Sequence, residues 1–499
     1  MAGQYLIILD AGTGGGRCTI FDSNGRQVVS EYREWRYDTP IGHSPLAREF
    51  DANLFYNIMA DAARTALIRA GVASEEVAAI SVTSQREGCV LLDAEGRPIY
   101  AGPNMDWRAT EEAEYLAAAY GDRIYEFSGH WPHAMFPACR LMWLRTNDPD
   151  LYGRAHRLLM INDWILYCLT GRCCSEPSNA GETMLFDIRK REWRWDFIDE
   201  LGIPRHLMAP VAEPGMVLGR LTPEAADLIG LLSGVPVIVG GADTQMALVG
   251  SGAIDEHAFC AVSGTSTPVM APVDRPVLDS LRRTWTGCHV VPGWWVLEGN
   301  AKGTGVVYRW FRDEFFGSET PFDKINQLVR EVPAGSDGLM AFLGSGVCQA
   351  PGVPFPVGAL IGLESSYEQT GMTRARIGRA ILEGIACAVE GNIRQMIDVL
   401  GGSRPLHVCG GGTRGGVLAE IMASVHGAPV FVNPVEEATS LGAAMIAAVG
   451  AGLYSTIEDA VSAMRPEPTR VDPNPKDAEV YQGVLKRWIN TFQALGRLL

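Results

Sequence analysis

The chain of 499 residues contains no CxxC pair, no excess of positive charge, no GxxxxGK[ST] motif and no HExxH motif. Nor does any apolar run approach the roughly 18 residues that a membrane-spanning helix needs. Each absence removes a class of function. Eleven cysteines without paired spacing, most of them inside apolar runs, argue against a zinc ribbon or disulfide scaffold and for reduced core thiols in a cytoplasmic protein. A formal net charge of -16 repels nucleic-acid and membrane phosphates at long range, so neither is an expected partner. The N-terminus enters a strand almost at once, without the basic and apolar segments of a secretory leader. Lacking the P-loop motif, the chain has to hold any phosphate by other loops and a metal. The nine histidines show no metal-ligand spacing and are assigned no chemistry.

What is present starts at Leu6–Phe21, LIILDAGTGGGRCTIF. An apolar run ends in Asp10, turns through Gly12, Thr13, Gly14, Gly15 and Gly16, and returns as a second alternating run: a β-hairpin with a glycine-rich tip. Glycines there let backbone N–H groups come close to an anion, and a strand-end carboxylate can hold Mg²⁺ beside it. A tight turn with a solvated aspartate is the alternative at this point.

Length and a hydrophobic content of 47% predict two or more domains with sizeable cores. After the hairpin come a strand over 27–36, a helix over 51–70, a strand over 78–83, the polar stretch Ser84–Gly88 and a strand over 89–93. That order is α/β. The middle of the chain reads as helices over 138–145 and 158–169, with Trp131, Trp143, Trp164, Trp193 and Trp195 as core or interface anchors. A strand over 235–240 leads to Asp243, and a short helix follows. From Phe259 the opening pattern returns as an apolar run to Ser263, the tight turn Gly264-Thr265-Ser266 and a returning strand. This weak internal repeat predicts two domains of similar topology, 1–246 and 247–499, each opening on a phosphate-loop hairpin. Helices over 304–316, 323–332 and 376–400 follow. A strand over 406–409 then runs into Gly410–Gly416 and a helix to 425. A strand over 429–432, an alanine-rich helix over 437–448 and an amphipathic helix over 476–498 close the chain.

Three glycine-rich loops at strand ends and two strand-end acids, Asp10 and Asp243, make an ATP site without a Walker motif. Gly12–Gly16 and Gly264–Ser266, facing each other across a cleft, suit the β- and γ-phosphates; Gly410–Gly416, opening a helix, suits the α-phosphate or ribose end. Gly410, Gly412 and Gly415 also match GxGxxG, with Glu436 and Glu437 about 20 residues on. Too little βαβ sequence follows to complete a dinucleotide fold, and a dehydrogenase leaves the other two loops without a role.

These residues resemble the FGGY family of carbohydrate kinases, which implies an α/β chain of two similar actin/hexokinase/Hsp70-like (ribonuclease H-like) domains with an interdomain cleft. The resemblance covers nearly the whole chain. It lies in Asp10-Ala11-Gly12-Thr13-Gly14, Gln85-Arg86-Glu87-Gly88, Asp106-Trp107-Arg108 and Gly240-Gly241-Ala242-Asp243-Thr244-Gln245, then in Ser263-Gly264-Thr265, Gly410-Gly411-Gly412 and Glu437–Gly442. The first family signature appears at Met135–Leu144, with Arg140 where lysine is usual. The second begins at Gly358–Leu363 but has a longer gap than usual to Arg379–Gly384. Within the family the chain is most similar to the autoinducer-2 kinase-like members, through Glu34-Trp35-Arg36, Arg48–Asp51, Arg86-Glu87-Gly88, Pro177–Gly181 and Arg309–Asp313. Xylulokinases usually carry Met-His-Gly in place of Arg86-Glu87-Gly88.

The resemblance implies a kinase using ATP and Mg²⁺ to phosphorylate a hydroxyl of a small neutral polyhydroxylated substrate, of autoinducer-2 (dihydroxypentanedione) type. Xylulose, another ketopentose or a polyol is the alternative substrate, and a non-catalytic sugar-sensing protein of the same fold is the remote alternative. Asp243 is the expected general base, since a carboxylate in reach of the hydroxyl takes its proton as the O–P bond forms. Capping the helix that follows is a compatible role for it. Asp10, with Asp243, is expected to hold Mg²⁺, mostly through waters. Gly12, Thr13, Gly14, Gly264, Thr265, Gly411, Gly412 and Gly415 are the expected nucleotide contacts. Arg86 and Glu87 suit vicinal hydroxyls as donor and acceptor, with a surface salt bridge as the alternative. Asp106 and Gln245 join the substrate site by resemblance only. Lys302, at a helix start, is expected to be solvated, with a reach to phosphate as the alternative. One cation against three carboxylates at that end favours a neutral substrate over a sugar acid. A homodimer is left open.

Overall fold

The computed structural model describes residues 4–41, 44–353, 355, 358–363 and 373–498. Its two main sheets repeat one plan. In the first half, Tyr5–Ala11 pairs antiparallel with Gly15–Asp22, which pairs antiparallel with Gln27–Glu34. On its other side Tyr5–Ala11 runs parallel to Val77–Ser84, and that strand runs parallel to Pro236–Ala242. In the second half, Phe259–Val262 pairs antiparallel with Ser266–Val273, which pairs antiparallel with Trp295–Gly303. On its other side Phe259–Val262 runs parallel to Leu406–Cys409, and that strand runs parallel to Val430–Val432. Each half is a three-strand meander extended by two parallel strands, as the returning hairpin pattern predicts. Further strands complete a six-stranded and a seven-stranded sheet.

Parallel neighbours need a crossover, and helices Ala52–Ala70 and Thr373–Leu400 precede the first parallel strand in their respective halves. The side chain of Asp51 accepts from Leu54 N–H to start the first of these, and Gly71, at φ 63°, ends it. Its Phe55, Met59, Ala62, Ala63 and Ala66 are buried in one cluster with Ile7, Leu9 and Ile20 of the sheet.

Two helices tie the halves together. Asp243–Gly250 follows the last parallel strand of the first sheet, and the point 246/247 falls inside it. Ala438–Gly450, late in the chain, packs Leu441, Ala444 and Met445 against Leu6, Ile8, Phe21 and Ile238 of the first sheet.

The expected helix over 158–169 divides differently. Arg157–Met160 is a strand beside Cys89–Leu92, and only Ile161–Thr170 is helical. An all-apolar run satisfies either periodicity, and the neighbouring strand decides. The 19-residue helix Thr110–Ser128 was not anticipated. Trp164 and Trp193 are buried, whereas Trp195 is exposed under Arg205. Of the gap in the second family signature, residues 364–378, the part 364–372 lies outside the described residues and the rest begins the helix Thr373–Leu400. All eleven cysteines are free thiols. Among the described residues no helix is long and apolar enough to cross a membrane.

Candidate active site

Both expected phosphate loops close on a backbone hydrogen bond, over three positions in the first and two in the second. Gly12 N–H donates to Gly15 O at 3.0 Å, and Gly264 N–H donates to Ser266 O at 2.9 Å. Around the first loop, Gln85 Nε2 donates to Gly12 O (3.2 Å) and to Tyr37 Oη (2.8 Å). Asn104 Nδ2 donates to Thr13 Oγ1 (3.0 Å), and Trp35 Nε1 donates to Thr13 O (3.3 Å). The loop's carbonyls are thereby fixed by protein donors.

The second and third loops meet at a cavity of about 560 Å³, a volume suited to a small-molecule ligand. Ser263, Gly264 and Thr265 form one wall, and Gly411, Gly412 and Arg414 another. A Cβ on Gly412 would stand 2.0 Å from Ser263 Oγ, so only glycine lets these loops come together. Between them lie Thr304, Gly305, Tyr308, Phe322 and Asn326, which sequence reasoning missed because amphipathic helices give no local sign of what they line. Tyr308 O–H donates to Asn326 Oδ1 at 2.8 Å. Gly12, Thr13, Gly14 and Gly415 are not in this wall; Gly415 instead backs Asn326.

Asp10, the second-last residue of its strand, has Oδ1 buried and without a hydrogen-bond partner. Burial, reinforced by repulsion from Asp243 and Glu437 and opposed by Arg17, pushes its pKa up to about 8. Asp243 is the first residue of its helix; the cap position is Ala242, so the aspartate is not the N-cap. Its Oδ1 accepts from Thr244 N–H at 2.7 Å. Burial raises its pKa most, Arg86 and the Thr244 N–H pull it back, Glu298 and Glu182 add to the rise, and the result is about 6. Two carboxylates of raised pKa, one carrying an orphaned oxygen, fit a divalent cation that would stabilise both charges. Among the described residues no group of three or more His, Cys, Asp or Glu side chains is placed to hold a metal. A pair of carboxylates is a donor set that suits Mg²⁺, which keeps several waters.

The acceptor end is built differently from the expected donor–acceptor pair. Arg86 and Glu87 are buried, 8% and 4% exposed, which rules out a surface salt bridge. They stand 3.8 Å apart, while Arg86 forms a bidentate pair with Glu298, Nη1–Oε2 2.6 Å and Nη2–Oε1 2.9 Å. Glu182 Oε1 accepts from Arg86 Nη1 at 3.3 Å, and Glu182 Oε2 lies 3.2 Å from His130 Nε2. Burial disfavours the His130 cation, but Glu182 and the Ser128 carbonyl more than offset this and its pKa is raised. Glu87 sits at φ 61° with its carbonyl accepting from Arg140, whose guanidinium also donates to Gly102 O (3.0 Å) and Pro103 O (3.1 Å). Burial foremost, with Glu182, Glu298 and Asp243 adding, drives the Glu87 pKa upward against the pull of Arg86. Gln245 is buried, with Nε2 close to the position a side chain on Gly287 would take, as are Glu182 and His130.

Asp106, which resemblance alone puts at the substrate site, is tied into the scaffold. It is fully buried, accepting from Tyr100 O–H (2.5 Å), Arg108 Nε (2.9 Å) and Arg48 N–H (3.1 Å), so its oxygens serve the scaffold. Lys302 is exposed and lines a smaller cavity, not the 560 Å³ one. Glu182, His130 and Glu298 were missed; the one available signal was a lone glutamate inside the apolar strand Trp295–Gly303.

Residues 5–250 match the N-terminal domain of the FGGY family of carbohydrate kinases, and residues 260–451 match its C-terminal domain. The chain belongs to this family. An autoinducer-2 kinase of Yersinia enterocolitica is 33% identical over 501 residues, covering 98% of this chain and 94% of the relative. One from Escherichia coli K12 is 34% identical over 505 residues, with the same coverage. Among solved structures, a xylulose kinase from Rhodospirillum rubrum superposes with a TM-score of 0.85 at 26% identity, covering 99% of both chains. A gluconate kinase from Lactobacillus acidophilus has a TM-score of 0.87 at 21% identity, covering 99% of this chain and 98% of its own, a likeness of fold alone. The two-domain fold is therefore that of an FGGY sugar kinase, and the repeated sheets are its two domains.

Proposed function

We propose that this kinase transfers the γ-phosphoryl group of ATP to a hydroxyl of a small neutral polyhydroxylated acceptor, autoinducer-2 (dihydroxypentanedione) first and a ketopentose such as xylulose second. The observation that supports the reading is the set of charges that act on the buried carboxyl of Asp243. Its carboxyl feels Arg86, Glu182 and Glu298, and it in turn repels the carboxyl of Asp10. In this reading Asp243 takes the acceptor proton as the O–P bond forms; with a pKa of about 6 it is ionised at neutral pH yet more basic than a solvated aspartate. Asp10 and Asp243 hold Mg²⁺, which when bound neutralises charge on the phosphates. The Gly12–Gly14 and Gly264–Thr265 loops orient the phosphates, Gly411 and Gly412 bound the nucleotide cavity, and Gly415 supports it through Asn326. Arg86, Glu87 and Gln245 orient the acceptor, while Asp106 holds the loop behind them.

The order of substrates rests on the two autoinducer-2 kinases at 33% and 34% identity, against 26% for the xylulose kinase. Coupled ADP-release assays comparing kcat/KM for dihydroxypentanedione, xylulose, ribulose, erythritol, glycerol and gluconate test it. Dihydroxypentanedione as the best acceptor supports the proposal. A ketopentose preferred by about 10²-fold, roughly 2.7 kcal/mol of transition-state binding, moves the assignment to that sugar. Gluconate as the best acceptor overturns the neutral-acceptor reading.

A further inference from the structure

We infer that Glu298 makes the acceptor site reject anions: it fills the bidentate edge of Arg86 and so reserves the site for neutral, hydroxyl-bearing acceptors. The inference rests on the acceptor assignment proposed above and names the residue responsible for its selectivity. Glu298 comes from the strand Trp295–Gly303 of the second sheet and Arg86 follows the strand Val77–Ser84 of the first, so the pair spans the two domains. Both terminal guanidinium nitrogens are engaged by one carboxylate, and both side chains are buried. A sugar-acid carboxylate binds arginine through that same two-point geometry. Here the geometry is already taken.

Displacing Glu298 is unfavourable because Glu87, Glu182 and Asp243 already surround Arg86, and a displaced carboxylate gives up its two-point pairing. Hydroxyls meet no such barrier. An ionised carboxylate only accepts hydrogen bonds, and a hydroxyl supplies the donor it needs. An acceptor can reach Glu298, which forms part of the wall of a cavity of about 170 Å³ together with Trp131, Trp285 and Asn300. Of the three cations of that wall, Arg282 is held by Asp122 at 2.6 Å and Arg283 by Asp279 at 2.7 Å, and the exposed Lys302 lies over the Phe355 ring. Removing the charge alone leaves Arg86 paired, since Glu182 remains at 3.3 Å and Glu87 at 3.8 Å.

The test has two arms. In the unaltered kinase, xylitol and xylonate, equal in chain length and different in charge, compete against the best neutral acceptor. Xylitol is expected to inhibit at a concentration about tenfold lower or less, since like charges brought together are costly. Equal inhibition overturns the inference without any variant. In the second arm, Glu298→Gln is expected to raise the ratio of kcat/KM for gluconate to that for the best neutral acceptor by about tenfold or more. The exposed Glu95→Gln serves as a charge-matched control and leaves that ratio unchanged. A merely structural Glu298 lowers both kcat/KM values together; an unchanged ratio overturns this inference and leaves the neutral-acceptor reading standing. Turnover of gluconate but of no neutral compound by the unaltered kinase overturns both.

Discussion

Gly250 and Gly442 meet backbone to backbone where two helices cross: a Cβ on Gly442 would lie 1.9 Å from Met246 O, and one on Gly250 1.9 Å from Ala438 O. The first of these helices starts with Asp243. The second follows Glu437, which is paired with Arg17 at 3.0 Å, and Arg17 stands opposite Asp10 in the first hairpin. The closeness of the crossing therefore sets how near the proposed base stands to the proposed metal ligand. Gly442→Ala should destabilise the kinase by about 1–3 kcal/mol through overpacking and lower kcat more than it changes KM. Denaturant midpoints and steady-state kinetics measure both. A folded variant with parental kcat would disconnect the crossing from the chemistry.

Asp243→Asn is close to isosteric, so fold and nucleotide binding should persist while kcat falls about 10²-fold or more. The base acts in its ionised form, and its pKa is about 6. In the parent, kcat/KM should therefore drop on acidification below that point, approaching tenfold per pH unit. A kcat/KM profile that stays flat from about pH 8 to about pH 5 would remove Asp243 from the role.

Much of this was legible in local pattern. The repeated run of apolar strand, glycine turn and returning strand at Leu6–Phe21 and Phe259–Ala271 anticipated sheets built on the same order, because hairpin signals are short-range. Strand-end acids were visible for the same reason. The Arg86–Glu298 pair was not, since its members are 212 positions apart and only the folded domains bring them together. Arg157–Met160 failed for a related reason: its strand character comes from Cys89–Leu92, not from its own residues. Asp106 resembled an acceptor ligand, yet its partners Tyr100, Arg108 and Arg48 exhaust it. A motif can mark a residue without telling which neighbours will claim it.

Arg140 stands where the family usually has lysine, and its guanidinium spans three carbonyls, those of Gly102, Pro103 and Glu87. This clamp fixes Glu87 at φ 61°, a conformation that a non-glycine residue keeps only when its surroundings hold it there. Lysine offers a compact ammonium without the planar fork. Arg140→Lys should leave at least one buried carbonyl unsatisfied, destabilise by about 1–3 kcal/mol and raise KM for the acceptor more than for ATP. Equal rises in both KM values would show a general loosening and not a positioning role for Glu87.

Asp10 couples folding, pH and metal in one residue. Its pKa is about 8 in the folded kinase against 3.8 for an unperturbed aspartate. Between those values the folded state holds a proton that the unfolded chain has released, so the contribution to stability falls as pH rises through this window. Asp243, raised to about 6, acts with the same sign. Asp10→Asn removes the strain of ionising a buried carboxylate, and without ligand the variant should melt above the parent at about pH 8, with the gap closing as pH falls towards about 4. With Mg·ATP the order should reverse. A ligand at 100 times its Kd stabilises by about 2.7 kcal/mol, and the part of that gain which EDTA abolishes in the parent should be small in the variant, where a neutral amide replaces the metal-binding charge. An Asn variant with the parental EDTA-sensitive shift would take the metal away from Asp10. One without the ligand-free gain at high pH would show that its carboxyl is not strained in the folded state.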